Sequence, residues 1–444
     1  MPKIKTASDS LNHEQRTREA VLLTFCDPVL AQSLQQLSQL SADEWKRLLY
    51  WLDTSGLALY FLDRMVDLQL WHTLPHAVFA RLKKNLMDNS VRTRGLIDES
   101  LSIQGEFQKT GVSYATLKGF SLYPHSVPRL ELRSQLDLDF LVAEKNVSQS
   151  RAILEQHGYR LHAMSGNSWE FKTDHLPSGS IGDLYKDVPH RCIDLHVEPD
   201  SQQQRSLLAR TTSVDFHGIR MPVLSHADLF LGQGMHLFKH VCSHASRAAH
   251  LLEFRHHVMA RREDIAFWNE IRGIAETSLG APLALGVVTL LITRIMGEFA
   301  PEALTCWTVD RLPFSARLWI ELYGHRSAFA DSRGTKLYLI LQRELEIAGL
   351  SSSRTVRSAL VPLRLPPAIA RTPANETLRT RARRHRLQVR FILFRLRFHV
   401  REGVRYFWES LRWRRYMRDF ARIGISDDSI VLRMRSSFSP TTKQ

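Results

Sequence analysis

The sequence predicts an α+β fold with a mixed sheet, flanked by helical segments and followed by a basic helical tail. Helical periodicity occupies residues 1–110, short strand-like runs alternate with a helix over residues 111–224, and helical patterns return over residues 225–350. Residues 351–373 are rich in Ser, Pro and Arg and are predicted to be a linker. Residues 374–444 form a basic, aromatic-rich tail.

Composition excludes disorder throughout and places the positive charge in the tail. The chain has 444 residues, of which 44% are hydrophobic and 24% charged, so it can bury a sizeable core. Its formal net charge is +15. Residues 371–444 carry 19 Lys and Arg against 6 Asp and Glu, so this segment has a net charge of +13 and leaves only +2 for the rest. Attraction to nucleic acid, an anionic membrane surface or an acidic partner is therefore expected of the tail.

The cysteines and the apolar runs bear on location. The four cysteines are far apart and form no CxxC pair, which is typical of a reducing compartment. Residues 1–14 are polar and do not resemble a secretory signal, and the longest apolar run, residues 281–292, is too short to cross a bilayer unaided. We expect a cytoplasmic protein, which could lie at the inner membrane surface through its tail.

The first helical region has a clear start signal. Ser41 and Glu44 have capping-box spacing, and an amphipathic pattern follows at Trp45, Leu48, Leu49 and Leu52. Helix breaks are predicted at Pro75 and at the cluster of residues 88–90.

The central region alternates strands with a helix. Strands are predicted at residues 112–117, 136–142, 169–172 and 192–197. The helix between the second and third strands is predicted to begin at Asn146 as N-cap, with Gln149 at the capping-box position, and to end at Gly158.

Carboxylates on two of these strands indicate a metal site. Residues two apart on a strand share a face, so Asp137 and Asp139 project together, and so do Asp194 and His196. Paired carboxylates on apolar strands repel each other and are costly to bury, and a divalent cation relieves both costs. Three converging carboxylates suit Mg²⁺ (or Mn²⁺), and a metal pair of this kind can orient a triphosphate for in-line displacement.

The turn after the first strand is a candidate phosphate site. Gly119 lies between a strand and a predicted helix, where backbone N–H groups can approach phosphate oxygens. Ser121 could donate a hydroxyl hydrogen bond, and Lys118 and Arg133 are candidate phosphate partners.

With these blocks in order, the sequence resembles the nucleotidyltransferase superfamily that includes DNA polymerase beta and the kanamycin nucleotidyltransferases. It looks most like the bacterial "uncharacterised nucleotidyltransferase" group within it, over roughly residues 20–300. The blocks that carry the resemblance are Leu117-Lys118-Gly119, Arg133, Asp137-Leu138-Asp139, Gly158-Tyr159 and Asp194-Leu195-His196. Two features depart from the superfamily pattern, because Phe120 follows Gly119 and the loop to Asp137 is long.

The resemblance implies a polymerase beta-like core and roles for individual residues. Asp137 and Asp139 would bind the metal, Asp194 would bind metal or act as the base, and Gly119 and Ser121 would contact the triphosphate. Lys118, Arg133 and His196 complete the candidate nucleotide site, although His196 could equally be a hydrogen-bonded structural histidine. The implied reaction moves a nucleoside monophosphate from an NTP such as ATP to an acceptor hydroxyl, with release of pyrophosphate.

Several alternatives remain open at this point. The acceptor could be a small molecule, a glycan, a peptide or RNA, and a non-catalytic scaffold with the same fold is a second hypothesis. His236, His240 and His244 have metal-ligand spacing, but a polar helix face lining the cleft is preferred, and Glu253 on the next helix is expected to be solvated. In the tail, Leu387, Phe391, Phe394 and Phe398 make an apolar stripe among arginines. A membrane surface, single-stranded nucleic acid and a helix docked on the body all explain that stripe.

Overall fold

The chain folds as helices that lead into one mixed sheet and helices that follow it. The computed structural model describes residues 7–174, 181–188, 191–200, 206–243, 247–277, 280–329, 335–350, 356–360, 366, 368 and 376–423. The helices before the sheet are α1 (Ala7–Leu23), α2 (Ala31–Ser38), α3 (Ala42–Ser55), α4 (Ala58–Asp67) and α5 (His76–Lys109).

Helix α3 begins where the sequence predicts. The Ser41 hydroxyl accepts from the Glu44 backbone N–H, and the Glu44 carboxylate accepts from the Ser41 N–H, which completes the capping box. The four apolar positions that follow the cap are all buried. Gly56 ends the helix in the left-handed conformation, with φ of 77°.

Helix α5 corrects one predicted break. Pro75 is its N-cap, as expected of a break, but the 34-residue helix runs straight through residues 88–90. Asn89 is fully buried there, and its amide donates to the backbone carbonyls of Glu131 (2.7 Å) and Arg133 (3.1 Å). The amide nitrogen of Asn89 is therefore paired by a distant segment. Within the helix, Asp88 accepts from Lys84, and the Ser90 hydroxyl donates to the Leu86 carbonyl. These polar side chains consequently do not interrupt the helix.

The described strands form one seven-stranded sheet that combines parallel and antiparallel pairs. Its order is β3-β4-β5-β2-β1-β7-β6, and β2 with β5 and β1 with β7 are the parallel neighbours. This confirms the mixed sheet. The strands are β1 (Tyr114–Leu117), β2 (Asp137–Ala143), β3 (Arg160–Ser165), β4 (Ser168–Lys172), β5 (Cys192–Glu198), β6 (Thr212–Phe216) and β7 (Ile219–Val223). The sequence analysis named β1, β2, β4 and β5 but no strand at β3, β6 or β7.

Helix α6 (Val147–Gln156) lies between β2 and β3, and its start differs from the prediction. Asn146 occupies the N-cap position without capping, because its side-chain oxygen accepts from the Ser113 N–H at 3.2 Å. Gln149 donates to the Thr110 carbonyl instead of completing a capping box. Gly158 follows the helix end with φ of 84°, as predicted.

The helices after the sheet share a core with those before it. Buried residues of α1 to α4 form one apolar cluster with residues from 227 to 345, and a second cluster lies between the sheet, α5 and α6. None of the described helices has the length and hydropathy needed to cross a membrane. The later helices are α7 (His226–Val241), α8 (Ala248–Ala260), α9 (Ile265–Glu276), α10 (Ala281–Met296), α11 (Glu302–Thr305), α12 (Phe314–Trp319), α13 (His325–Phe329), α14 (Tyr338–Ile347), α15 (Val356–Leu360) and α16 (Leu378–Ile423).

Helix α10 passes close to a neighbouring turn, and a substitution at this contact tests the packing of the shared core. A Cβ at Gly286 would lie 2.6 Å from the backbone oxygen of Thr308, which cannot move as a flexible side chain would. We expect Gly286→Ala to lower the free energy of unfolding by about 1–3 kcal/mol, measured by urea denaturation.

The matched control is Gly273→Ala on α9. Nothing lies within 4 Å of a Cβ built at Gly273, so alanine there should be neutral or stabilising by up to about 1 kcal/mol. Equal effects of the two substitutions would contradict this account of the packing.

Candidate active site

The parallel pairing of β2 with β5 brings the predicted carboxylates together. Asp139 is the register partner of Asp194, and His196 pairs with Leu141 two positions further on. Because side chains alternate along a strand, Asp137, Asp139, Asp194 and His196 share one face of the sheet. Ligand atoms of Asp139, Asp194 and His196 lie within 4.8 Å of one another. Asp137 is on this face but is not part of that close group.

Asp139 is the buried centre of the cluster. Only 5% of it is exposed, and its Oδ1 atom accepts from the Lys118 ammonium at 2.8 Å and lies 3.1 Å from His196 Nε2. Burial acts to raise its pKa, but the hydrogen bonds and charges of His196 and Lys118 outweigh burial and hold the pKa of Asp139 below its usual value. Asp139 is therefore an ionised carboxylate that already has a cationic partner.

Asp137 and Asp194 shift in the opposite direction. Burial, together with the charge of Asp139, raises the pKa of Asp137. Burial and the carboxylates of Asp139 and Asp137 raise the pKa of Asp194 to about 6. The cluster thus concentrates more negative charge than its surroundings neutralise.

A fourth acidic residue belongs to this surface. Glu170 on β4 is the register partner of Asp194, and Glu170, Cys192 and Asp194 form a second group with ligand atoms within 4.8 Å. The sequence analysis placed a strand at β4 but did not single out Glu170. Its position between Trp169 and Phe171, two aromatic residues, was the available signal.

The glycine turn differs from the expected strand–turn–helix. Gly119–Leu122 is a single 3₁₀ turn, and Pro124 follows it closely, so no helix N-terminus forms to favour an anion. The Ser121 hydroxyl donates to the Lys118 carbonyl at 2.8 Å and so holds the turn.

Gly119 itself is required by close packing. It adopts φ of 49°, and a Cβ there would lie 2.5 Å from Gln135 Nε2. That same nitrogen donates to the Asp137 carbonyl at 2.8 Å. The glycine therefore lets the turn approach the start of β2, and this places Lys118 against Asp139.

Arg133 has a protein partner that the sequence did not indicate. Its Nε donates to Glu253 Oε1 at 3.1 Å, and the Tyr60 hydroxyl donates to the same oxygen at 3.0 Å. Glu253, on α8, is only 2% exposed, so the expectation that its charge is solvated was wrong. The burial of Glu253 could not be predicted from its neighbours, because the arginine that pairs with it lies in a loop 120 residues earlier in the chain.

Arg247 is a site residue that the sequence analysis missed. It precedes α8 and lies close enough to Asp137 to interact with its charge. Burial lowers the pKa of its guanidinium, and within the described residues no carboxylate is hydrogen-bonded to it. A desolvated guanidinium beside this cluster could pair with an anion. No local pattern around Arg247 signals this role, which depends on the tertiary fold.

The histidines assemble differently from the prediction. His236 and His240 are neighbours on α7, with their Nε2 atoms 2.8 Å apart, and His250 of α8 joins them, whereas His244 lies outside the described residues. Burial and the charge of Lys118 lower the pKa of His236 to about 3. Burial likewise lowers the pKa of His250. The neutral imidazoles of His236 and His250 are consistent with a polar helix face beside the carboxylates.

A family model and a solved structure match this chain. The family model described as "Uncharacterised nucleotidyltransferase" matches residues 41–297, more than half of the chain. Among solved structures, the chain is similar to an antigenic nucleotidyltransferase-like protein from Paracoccidioides brasiliensis. The two are 11% identical, the match covers 42% of this chain and 89% of that chain, and the TM-score is 0.28. No curated protein matches the sequence.

The family match spans the glycine turn, the β2 and β5 carboxylates and helices α7 and α8. The chain therefore belongs to the uncharacterised nucleotidyltransferase family.

Proposed function

We propose that this protein catalyses Mg²⁺-dependent transfer of a nucleoside monophosphate from an NTP to an acceptor hydroxyl, with release of pyrophosphate. The observation that carries the proposal is the register pairing of Asp139 with Asp194, which joins carboxylates from two strands on one face with Asp137. Membership of a nucleotidyltransferase family supports the same reaction class.

The carboxylates fit a hard divalent cation. Asp137 has a raised pKa because its charge is buried beside Asp139, and a cation bound between them would remove that cost. Lys118 already places an ammonium against Asp139, which indicates that the position favours positive charge. Asp137, Asp139 and Asp194 would hold Mg²⁺ or Mn²⁺ through oxygen ligands. The bound ion would neutralise triphosphate charge and polarise the α-phosphate.

The reaction forms one bond to phosphorus and breaks another. The acceptor oxygen bonds to the α-phosphorus, the bond from that phosphorus to the α–β bridging oxygen breaks, and pyrophosphate leaves with the electron pair. The hydroxyl proton goes to the Asp194 carboxylate. Without a metal ion, burial and the neighbouring carboxylates raise the pKa of Asp194 to about 6, so it is still ionised at neutral pH, and a bound cation would favour the ionised form further. The acceptor is a small molecule, glycan, peptide or RNA.

Two cations would hold the triphosphate. The Lys118 side chain, which pairs with Asp139 and is 32% exposed, would contact a phosphate oxygen. Arg247 approaches from α8 and can supply a planar, two-pronged contact. Triphosphate contacts of Gly119, Ser121, Arg133 and His196 remain predictions from the sequence.

Substitution of Asp137 is expected to change folding stability and metal-dependent nucleotide binding in opposite directions. Asp137→Asn removes a buried charge beside Asp139, so we expect a higher thermal midpoint in metal-free buffer at pH 7. This gain should shrink as the pH falls, because wild-type Asp137, with its raised pKa, then becomes protonated and uncharged as well. The same variant should lose the Mg²⁺-dependent stabilisation by NTP, which for wild type is about 2.7 kcal/mol at one hundred times Kd.

The control is Asp215→Asn on β6, where the side chain is 86% exposed, and this variant should keep the Mg²⁺-dependent response. The measurement is differential scanning fluorimetry with each NTP, with and without Mg²⁺. A wild-type protein that shows no Mg²⁺-dependent shift would contradict the enzyme proposal and favour the non-catalytic scaffold.

Arg247 is tested in the same way. Arg247→Met should weaken Mg²⁺–NTP binding at least tenfold, because a charge-assisted contact to phosphate is lost. Isothermal titration calorimetry gives the binding constant. Arg262→Met, at a guanidinium just beyond α8 that is 54% exposed, should leave binding unchanged. A fall in stability without a fall in affinity would assign Arg247 a structural role.

A further inference from the structure

Helix α16 is attached to the body through one face. Glu402 is buried and accepts from the Thr335 hydroxyl at 2.8 Å and from the Lys336 N–H at 3.2 Å. The Trp413 indole donates to Glu344 at 2.9 Å. These contacts, with others made by Glu409 and Phe420, hold the helix in a fixed rotation about its axis.

The opposite face carries an exposed apolar stripe. Its members recur every three or four residues, the spacing of one helix face. Each of the last four stands two positions before a residue of the side that faces the body, and two positions correspond to a rotation of about 200° about the helix axis. All are more than half exposed except Leu411, which is 36% exposed. The stripe comprises Val389, Leu393, Leu396, Val400, Val404, Phe407 and Leu411. It is about 33 Å long at 1.5 Å per residue.

This stripe is not the one that the sequence suggested. Of the four residues that the sequence predicts as the apolar stripe, Phe394 is 40% exposed but Leu387, Phe391 and Phe398 are only partly exposed. The exposed stripe runs instead through Leu393 and Leu396. The docking of α16 on the body decides which apolar side chains face outward.

Positive charge flanks the stripe. Helix α16 contains fifteen arginines and three acidic residues, and two of those acids, Glu402 and Glu409, bond to the body. Arg390, Arg397 and Arg401 are exposed and project 60–100° from the stripe by helical rotation. The outward face is therefore apolar along its centre and cationic beside it.

We propose that this face binds the surface of an anionic membrane, with α16 lying parallel to the bilayer plane. Apolar side chains would enter the boundary between headgroups and acyl chains, and the flanking arginines would meet anionic headgroups. The proposal is independent of the reaction at the carboxylate cluster.

Charge and chemistry favour lipid over the other occupants. A second copy of α16 would bring two strongly cationic helices together, and the one exposed acid described on this helix, Asp419 near its C-terminal end, could pair few of their arginines. Single-stranded nucleic acid would stack its bases on a row of aromatic side chains. The exposed aromatic residues of α16 form no such row, because any two of them are separated by about 100° of rotation or by at least about two helical turns. They are Phe394, Phe407, Trp408 and Tyr416, whereas the aliphatic residues of the stripe share one face. An anionic bilayer satisfies both the apolar stripe and the arginines.

The test is flotation of the full chain with two kinds of vesicle. One contains phosphatidylcholine alone, and the other also contains about 30 mol% of the anionic lipid phosphatidylglycerol. We expect binding to the anionic vesicles only. Replacing Leu393, Leu396, Val400 and Phe407 by Gln should lower the partition coefficient at least tenfold. Each of Arg390→Gln, Arg397→Gln and Arg401→Gln should lower it by up to about fivefold.

The matched control replaces four apolar residues that are exposed elsewhere, Met87, Val91, Ile265 and Ile347, by Gln. It should bind as wild type does, and unchanged thermal midpoints show that all variants fold. Three outcomes overturn the proposal. They are no vesicle binding by wild type, vesicle binding that the stripe substitutions leave intact, and a dimer in light scattering that those substitutions convert to monomer. RNA binding in place of vesicle binding would likewise assign the tail to nucleic acid.

Discussion

The register of β2 against β5 is the constraint on which the rest of the structure depends. It sets Asp139 beside Asp194 and leaves Asp137 on the same face, opposite the face whose apolar residues pack into the core against α5 and α6. Such an arrangement is unfavourable unless positive charge is supplied, because both burial and mutual repulsion oppose ionisation. The surrounding elements can be understood as sources of that positive charge.

The positively charged side chains come from different parts of the chain. Lys118 is delivered by the tight turn after β1, where Gly119 packs against Gln135. Arg133 is held by Glu253 and Tyr60, so the helices before and after the sheet meet at one carboxylate. Arg247 makes no such hydrogen bond to a carboxylate among the described residues, although the charges of Asp137 and Glu253 act on it. This difference from Arg133 is the reason that Arg247 is proposed to contact the substrate.

The same reasoning explains the C-terminal helix. Glu402 and Glu409 are the acids that α16 turns toward the body, and their hydrogen bonds fix which of its faces is exposed. Lys336, packed under this helix, has its pKa lowered to about 8 by burial, which marks the contact as partly dehydrated. The chain therefore separates two charged surfaces, an acidic cluster on the sheet and a cationic face on α16.

The sequence by itself determined the α+β class, the mixed sheet's central strands, the α3 capping box and the shared face of Asp137 and Asp139. These follow from strand alternation, helical periodicity and local capping, which act between residues close in the chain. Only the tertiary structure decided that Asn89 does not break α5, that Arg133 and Glu253 pair, that Glu170, Arg247 and His250 lie beside the predicted residues, and which face of α16 is exposed. Each of these depends on a partner tens to hundreds of residues away, and the energy of a buried polar group is set by that partner and not by its neighbours in sequence.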